Sequence, residues 1–374
     1  MTAPTPRSGQ AAATLQTPAL AIDLDALERN VRRMAEFARQ KKVRLRPHAK
    51  THKSAALARL QIDAGAVGVC VQKVSEADAL AGRGVPDLYI TNEVIDEAKL
   101  ERVAALAGHV RLAIAVDSAL GVQRLAAALR AAGTMCQVFV EVDVGQGRCG
   151  VAPVAAGALA HQVVSAGLRF GGLQAYQGRA QHLRTPAERE AAIRQAVRFA
   201  RAAQASVSSA GLVCPLVTGA GTGTFTLETD SGVYGELQVG SYVFMDRDYA
   251  DNEAAAGAPV FEHALFVKAQ VTSRGFSHAV VDAGHKSHAL DSGLPSVWQR
   301  PLDYANGGDE HGILKPAAGA SADDLPALGE SIWLVPGHCD PTVNLHDHYV
   351  VIRGGLEHGV VHAVWPVDAR GCVQ

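Results

Sequence analysis

The sequence lacks any Cys-x-x-Cys spacing. Its six cysteines, Cys70, Cys136, Cys149, Cys214, Cys339 and Cys372, are scattered along 374 residues, a pattern that implies reduced thiols rather than a disulfide framework. No apolar run is long enough to span a bilayer. The stretch Met1 to Gln16 is polar and rich in small residues; with no apolar signal core it reads as a loose tail (1–17) of a cytoplasmic protein. An excess of one charge is missing too: the formal net charge is −2, so nothing points to nucleic acid or acidic membrane as a partner. No internal repeat or low-complexity tract is evident.

What is present is an ordinary globular composition, 48% hydrophobic and 19% charged, long enough for two domains. The periodicity of Leu27, Val31, Met34 and Phe37 predicts a helix over Asp25 to Lys41, capped by Asp23 or Asp25. Strand and helix patterns then alternate. The predicted strands are Val43–Pro47, Val67–Val71, Leu88–Thr91, Leu112–Val116, Val138–Val142, Phe170–Ala175, Leu212–Val217 and Gln238–Phe244. Helices are expected over Ser54–Ala64, Ser75–Arg83, Asp96–Leu106, Ser118–Ala131, Pro153–Ala166 and Ala187–Ala210, with little helix signal between Thr218 and Leu237. Eight alternations over roughly 230 residues fit a (β/α)8 barrel, typically about 250 residues. A doubly wound open sheet would need fewer strands, and no Gly-x-Gly-x-x-Gly follows the first strand.

A polar, Ala/Gly-rich linker, Asp251 to Ala258, ends the barrel pattern. Segments beyond it shorten and alternate as strands do: Phe261–Thr272, His278–Val281, Ser331–Val335, Tyr349–Arg353 and Val360–Trp365. The chain therefore reads as a barrel over 18–252 followed by a smaller β domain over 253–374. Ten of the fifteen histidines lie between His263 and His362. Surface histidines account for most of these, and metal binding is the alternative for the rest.

Chemistry concentrates where barrel strands end. The run Arg46-Pro47-His48-Ala49-Lys50-Thr51-His52-Lys53 sits between the first strand and its helix. A lysine fixed there among cationic and imidazole neighbours can shed its proton readily and attack a carbonyl as a free amine; a basic turn in contact with solvent is the alternative, and the stretch alone does not decide between them. The other strand ends supply Gln72, the run Asp143 to Arg148, Tyr176 with Gln177 and His182, the loop Thr218 to Thr224, and Gly240-Ser241-Tyr242. Alternating glycines in the seventh loop let backbone N–H groups converge on an oxyanion, and threonine hydroxyls add donors. A carbonyl-reactive lysine opposite a phosphate cup implies pyridoxal phosphate. Arg148 then faces the pyridine nitrogen or the ring hydroxyl, with a buried pair to Asp143 as the structural alternative. Tyr176 stacks on the ring or bonds to it.

In the second domain, Pro336-Gly337-His338-Cys339-Asp340-Pro341 places His338 and Asp340 two residues apart. In extended chain both side chains share one face and can hold a divalent cation while leaving water positions open. Cys339 points away. The polar loop Asp309-Glu310-His311-Gly312 has no assigned place.

Together the run Arg46–Lys53, the loop Thr218–Phe225, the run Gly240–Asp246 and Pro336–Asn344 resemble fold-type III pyridoxal-phosphate enzymes, more narrowly the D-threonine aldolase and D-serine dehydratase family. The resemblance covers most of the chain and implies an alanine-racemase-like fold with an antiparallel second domain. It implies that Lys50, not Lys53, carries the coenzyme, that the phosphate lies on Gly221, Thr222, Gly223 and the Gly240–Tyr242 turn, near Thr218 and Gly219, and that His338 is a metal ligand. Dehydratases of this family typically place a cysteine two residues after that histidine, suited to zinc. Here the position is Asp340, a harder ligand better matched to Mn2+, with Mg2+ or Co2+ next. The expectation is thus a cytoplasmic, homodimeric carbon–carbon lyase that cleaves D-threonine and other β-hydroxy-D-amino acids to glycine and an aldehyde, with His182, or a metal-bound water it orients, taking the β-hydroxyl proton. A D-serine or 3-hydroxy-D-aspartate dehydratase uses the same parts. A racemase needs an acid/base on each cofactor face and no metal. A non-catalytic pyridoxal-phosphate carrier would resemble the barrel alone, and His338 and Asp340 argue against it.

Overall fold

In a computed structural model, residues 6–255 and 257–374 are described. The chain opens with strand β1 (Ala19–Asp23) and helix α1 (Leu24–Lys41). Asp23 caps α1, its carboxylate accepting from the N–H groups of Asp25 and Ala26 at 3.1 Å. Leu27, Val31 and Met34 are buried on the inner face of this helix, and Phe37 meets Phe225 edge-on at 4.9 Å between centroids.

Eight parallel strands follow: β2 (Arg44–Leu45), β3 (Val69–Val71), β4 (Asp87–Ile90), β5 (Arg111–Val116), β6 (Gln137–Glu141), β7 (Arg169–Gln174), β8 (Val217–Gly219) and β9 (Glu236–Leu237). Their spatial order is β2-β9-β8-β7-β6-β5-β4-β3. Bonds from Val67 N–H to Leu45 O (2.9 Å) and Cys70 N–H to Pro47 O (2.8 Å) join β3 to the β2 segment and close the barrel. Between the strands run α2 (Ala55–Asp63), α3 (Val74–Ala81), α4 (Glu97–Leu106), α5 (Ala119–Ala132), α6 (Ala156–Ser165), α7 (Pro186–Ser209) and α8 (Phe225–Asp230). Their ends follow local chemistry. Thr185 and Glu188 form a capping box with Pro186 in the first turn of α7, and α5 stops at Gly133, whose φ of 64° suits glycine.

One layer inside the barrel is charged. Arg46 is 5% exposed and pairs with Asp87 and, at 3.3 Å, with Glu236. Gly68 must be glycine here, because a Cβ would stand 2.6 Å from the Arg46 guanidinium and 2.5 Å from Asp87 O. The Arg46 of the lysine motif therefore fills the barrel.

The second sheet runs β13-β14-β11-β10-β1-β16-β17, with β15 on β10 and β12 on β15. Its strands are β10 (Leu265–Arg274), β11 (Ala279–Val281), β12 (Ser296–Val297), β13 (Leu302–Asn306), β14 (Gly312–Pro316), β15 (Ser331–Val335), β16 (His348–Arg353) and β17 (Val360–Pro366). Pairing is antiparallel except where β1 lies parallel to β16. This gives the expected alanine-racemase-like architecture.

Four local readings differ. β1, assigned to the barrel span by sequence, lies in the second sheet between β10 and β16, pairings more than 240 residues away that local patterning does not show. The expected loose tail is pinned in its described part: Ala12 and Leu15 are buried, Gly9 N–H bonds to Val361 O at 2.8 Å, and the Lys268 amine donates to carbonyls of Ala12, Ala13 and Leu15. Residues 1–5 of that tail, and Ala256 of the expected linker, lie outside the described residues. The seventh and eighth strands are shifted: β8 begins only at Val217 and β9 ends at Leu237, while Ser241–Val243 is a 3-10 turn. The gap expected to lack helix holds α8.

Candidate active site

The turn after β2 is a short 3-10 helix, Ala49–Thr51, whose first free N–H, that of Lys50, donates to His48 Nδ1 at 3.4 Å. With Nδ1 accepting, the proton of the neutral ring sits on Nε2, within reach of Gln72 Oε1 (3.2 Å) and Thr91 Oγ1 (3.0 Å). Burial, reinforced by the Lys50 charge, lowers the His48 imidazole to about 3, so this ring stays neutral.

Lys50 projects into a cavity of about 250 Å³ at the carboxyl end of the barrel strands. Gln72, Thr91, Arg148, Gln174, Tyr176, Gly221, Thr222, Gly240, Ser241 and Tyr249 also line it. The amine forms an ion pair with Asp340 of the second domain. Burial alone would lower its pKa, but the Asp340 carboxylate outweighs that and the net direction is up. This corrects the sequence argument from cationic neighbours: the nearest imidazole is neutral, and the governing neighbour is an acid that no local motif reveals.

The predicted coenzyme residues divide into two groups. Gln72, Arg148, Tyr176, Gly221, Thr222, Gly240 and Ser241 face the cavity. The Arg148 guanidinium lies 5.8 Å from the Tyr176 ring centroid and 3.9 Å from Glu141. The alternative Arg148–Asp143 pair does not form; Asp143 instead accepts from Gly145 and Gly147 N–H at 2.9 and 3.0 Å. Thr218, Gly219, Gly223 and Tyr242 turn elsewhere. Thr218 bonds to Glu236 (3.1 Å) and Gln238 (2.9 Å) inside the barrel. Gly219 belongs to β8, where a Cβ would strike Ala175 O at 2.6 Å. The Gly223 N–H is taken by Gln181 Oε1 at 2.9 Å. Tyr242 buries its ring against Phe261 and accepts from Gln61 at 3.1 Å, while its N–H donates to Thr222 Oγ1 at 3.0 Å. Lengthening β8 by two residues at its carboxyl end moves Thr218 and Gly219 from the loop into the sheet.

His338 and Asp340 meet at the same place. The His338 Nδ1–H donates to Asp246 Oδ2 at 2.7 Å, which leaves Nε2 3.9 Å from Asp340 Oδ1. That oxygen is buried without a hydrogen-bond partner. Burial would lower the His338 imidazole; Asp246 and Asp340 outweigh it and raise the value to about 9. The Asp340 carboxyl would be raised by burial but is held well below the carboxylate range by Lys50 and His338. The His338–Asp340 stretch is not extended throughout: a short helix starts at Cys339, whose thiol is fully buried.

His182 lies outside the cavity wall. Its Nδ1–H donates to Asp248 Oδ2 at 2.6 Å, and the Tyr249 ring neighbours both it and His338, with centroids 5.8 and 6.5 Å away. The loop at Asp309 to Gly312 engages His285 (2.9 Å) and Lys286 on the surface of the second domain. Tyr249, Asp246, His48 and Thr91 escaped assignment from sequence. The spacing of Asp246 and Tyr249 is a helix-cap signal, Asp246 Oδ1 accepting from Tyr249 N–H at 3.0 Å, and could have singled out that pair.

A lysine-bearing turn in a closed parallel barrel, ion-paired with a residue of a second, mostly antiparallel sheet domain, defines the alanine-racemase-like class. Residues 22–248 match the family described as alanine racemase, N-terminal domain, and residues 264–352 match a putative serine dehydratase domain. The chain is 44% identical to a D-threonine aldolase of Arthrobacter over 98% of its length and 96% of that protein's. It is 42% identical to a 3-hydroxy-D-aspartate aldolase of Paracoccus denitrificans, over 96% of this chain and 92% of the other. The solved D-threonine aldolase of Filomicrobium marinum superposes with a TM-score of 0.95 at 47% identity, covering 98% of this chain and 99% of that one. For the D-threo-3-hydroxyaspartate dehydratase of Delftia the TM-score is 0.85 at 29% identity, covering 96% and 98%. The chain belongs to the D-threonine aldolase and D-serine dehydratase family of fold-type III pyridoxal-phosphate enzymes.

The residues fit the groups this family implies. For the coenzyme phosphate, Thr51 Oγ1 beside Gly240 is buried without a partner, and among the described residues no acceptor takes the N–H groups of Gly221, Thr222 or Ser241. For a cation, Asp340 Oδ1 is an orphaned acceptor facing a histidine nitrogen whose partner on the far side fixes its tautomer. No cluster of three or more His, Cys, Asp or Glu side chains converges among the described residues. These two groups would therefore hold the ion, with water or substrate filling the other positions.

Proposed function

We propose that this protein cleaves the Cα–Cβ bond of β-hydroxy-D-amino acids, D-threonine among them, to give glycine and an aldehyde, and that it needs both pyridoxal phosphate and a divalent cation. One observation carries the reading: the Lys50 amine is ion-paired with Asp340, whose other carboxylate oxygen lies 3.9 Å from His338 Nε2, although lysine and pair come from different domains. The names of the relatives supply the reaction class.

Pyridoxal phosphate carried on Lys50 supplies an electron sink for the pair left at Cα when the bond breaks. A cation held by His338 Nε2 and Asp340 Oδ1 would supply Lewis acidity towards a hydroxyl, and to hold it His338 would give up its Nε2 proton. Around these groups the protein orients and shields. Arg148 and Tyr176 would frame the coenzyme ring, and backbone N–H groups of Gly221, Thr222 and Ser241 would receive its phosphate. Because His182 lies outside the cavity wall, the β-hydroxyl proton would pass to a water that His182, aligned by Asp248, orients. Asp340 supports Mn2+ ahead of Mg2+ or Co2+, because a carboxylate is a harder ligand than a thiolate. The reading includes a homodimer in the cytoplasm; among the described residues no helix is long and apolar enough to cross a membrane.

Incubation with D- and L-threonine, with and without Mn2+, tests the proposal. Acetaldehyde and glycine from the D isomer alone, dependent on the cation, support it. A 2-oxo acid with ammonia identifies a dehydratase instead.

A further inference from the structure

Asp246 is fully buried and is shared by three elements. It caps the one-turn helix Arg247–Ala250 through the Tyr249 N–H (3.0 Å), accepts the His338 Nδ1–H (2.7 Å), and accepts the Cys339 N–H (3.0 Å). Around it the barrel's last turn and the segment before Cys339 are stitched by backbone bonds from Arg247 N–H to Pro336 O and from Asp248 N–H to Gly337 O, both 3.1 Å. A carboxylate in this position does two things a neutral side chain does less well. It holds the Nδ1 proton in place, so that Nε2, 3.9 Å from Asp340 Oδ1, is the nitrogen free to ligate a cation once its own proton is given up. It also raises the basicity of that nitrogen through a charge-assisted bond.

We propose that Asp246 is a positioning residue through which the barrel sets the cation affinity of His338 and Asp340 and, by the same carboxylate, the place of Tyr249 in the cavity wall. The inference rests on the functional reading above, because it assumes that those two residues hold a cation. It adds that the site is not a property of the second domain alone: one of its determinants lies on the barrel side, just beyond the Gly240–Tyr242 turn.

The test is Mn2+ binding by calorimetry on coenzyme-loaded wild type, Asp246→Asn and Asp246→Ser, with the coenzyme absorbance and melting temperature recorded on the same samples. Asn keeps the shape without the charge; Ser keeps the helix cap but withdraws the acceptor from His338. Loss of such a partner costs about 10–100-fold in metal affinity. Both variants are therefore expected to bind Mn2+ 10–100-fold more weakly with coenzyme absorbance intact, and turnover should recover as Mn2+ is raised. Wild-type affinity in both variants overturns the role of Asp246 while leaving the functional reading standing. Loss of coenzyme absorbance along with Mn2+ binding in both marks Asp246 as a folding residue and also overturns it. No Mn2+ binding by wild type removes the functional reading, and this inference with it.

Discussion

The amine of Lys50 and the carboxylate of Asp340 form an ion pair across 290 positions of sequence. One partner stands at the mouth of the barrel and the other in a short helix of the second domain. The pair joins the two chemical functions of the site, because the amine expected to carry the coenzyme is held by a ligand expected to hold the cation.

Two lysines in the same motif have opposite roles. Lys50→Ala is expected to abolish the coenzyme absorbance and all turnover. Lys53 is 7% exposed; it pairs with Glu76 at 3.1 Å and donates to the carbonyls of Ala369 and Cys372 at 3.3 Å. Lys53→Ala removes the cation from buried Glu76 and leaves it the N–H groups of Gln72 and Lys73; the cost should stay below that of a buried charge with no partner, about 3–5 kcal/mol, and the coenzyme should be kept. Absorbance spectra and urea unfolding of the two variants separate these outcomes.

Asp340→Cys exchanges a hard oxygen donor for a thiolate. The expected result is a shift in preference from Mn2+ towards Zn2+, read by competition between the two metals on coenzyme-loaded protein. Unchanged preference would mean that Asp340 does not ligate the cation.

Glu228 lies under the glycine loop, 1% exposed. Its Oε1 accepts from Thr224 at 2.8 Å and its Oε2 has no partner. Burial raises its carboxyl from 4.5 to about 7. The folded state thus holds a proton that the unfolded chain releases above its ordinary value. Stability should fall as pH rises from about 4.5 to 7 and level off above that, a loss of about 3 kcal/mol from this group. Glu228→Gln removes the ionisation, so the variant should gain stability relative to wild type at pH 8 and little at pH 4.5. Urea unfolding at both pH values provides the check.

At Gly240 the backbone passes so close to the lysine turn that a Cβ would stand 2.6 Å from Thr51 Oγ1 and 3.2 Å from His48 O. Gly240→Ala should push that turn aside and weaken coenzyme affinity while leaving the barrel folded. Titration of the coenzyme against its absorbance measures the loss.

The barrel was legible because its strands are short apolar runs at regular spacing, buried on both faces, such as Leu112–Val116 and Val138–Val142. The lysine was legible because it falls at a strand-to-helix junction. The His338–Asp340 pair was singled out by a spacing that assumed extended chain; a short helix starts at Cys339 instead, and the two side chains still stand 3.9 Å apart. Illegible parts depend on distant partners. β1 joins the second sheet through β10 and β16. Thr218 and Gly219 look like a loop, yet they bond and pack inside the barrel. The charge state of Lys50 follows from Asp340, not from its sequence neighbours. Asp246 and Tyr249 join the site only because the second domain folds back onto the barrel's last turn.

The most direct measurement is a crystal structure grown with pyridoxal phosphate and Mn2+, with anomalous scattering recorded for manganese. The account predicts continuous density from the Lys50 Nζ into the coenzyme and an anomalous peak beside His338 Nε2 and Asp340 Oδ1. Coenzyme density on Lys53, or a manganese peak away from those two side chains, would contradict it.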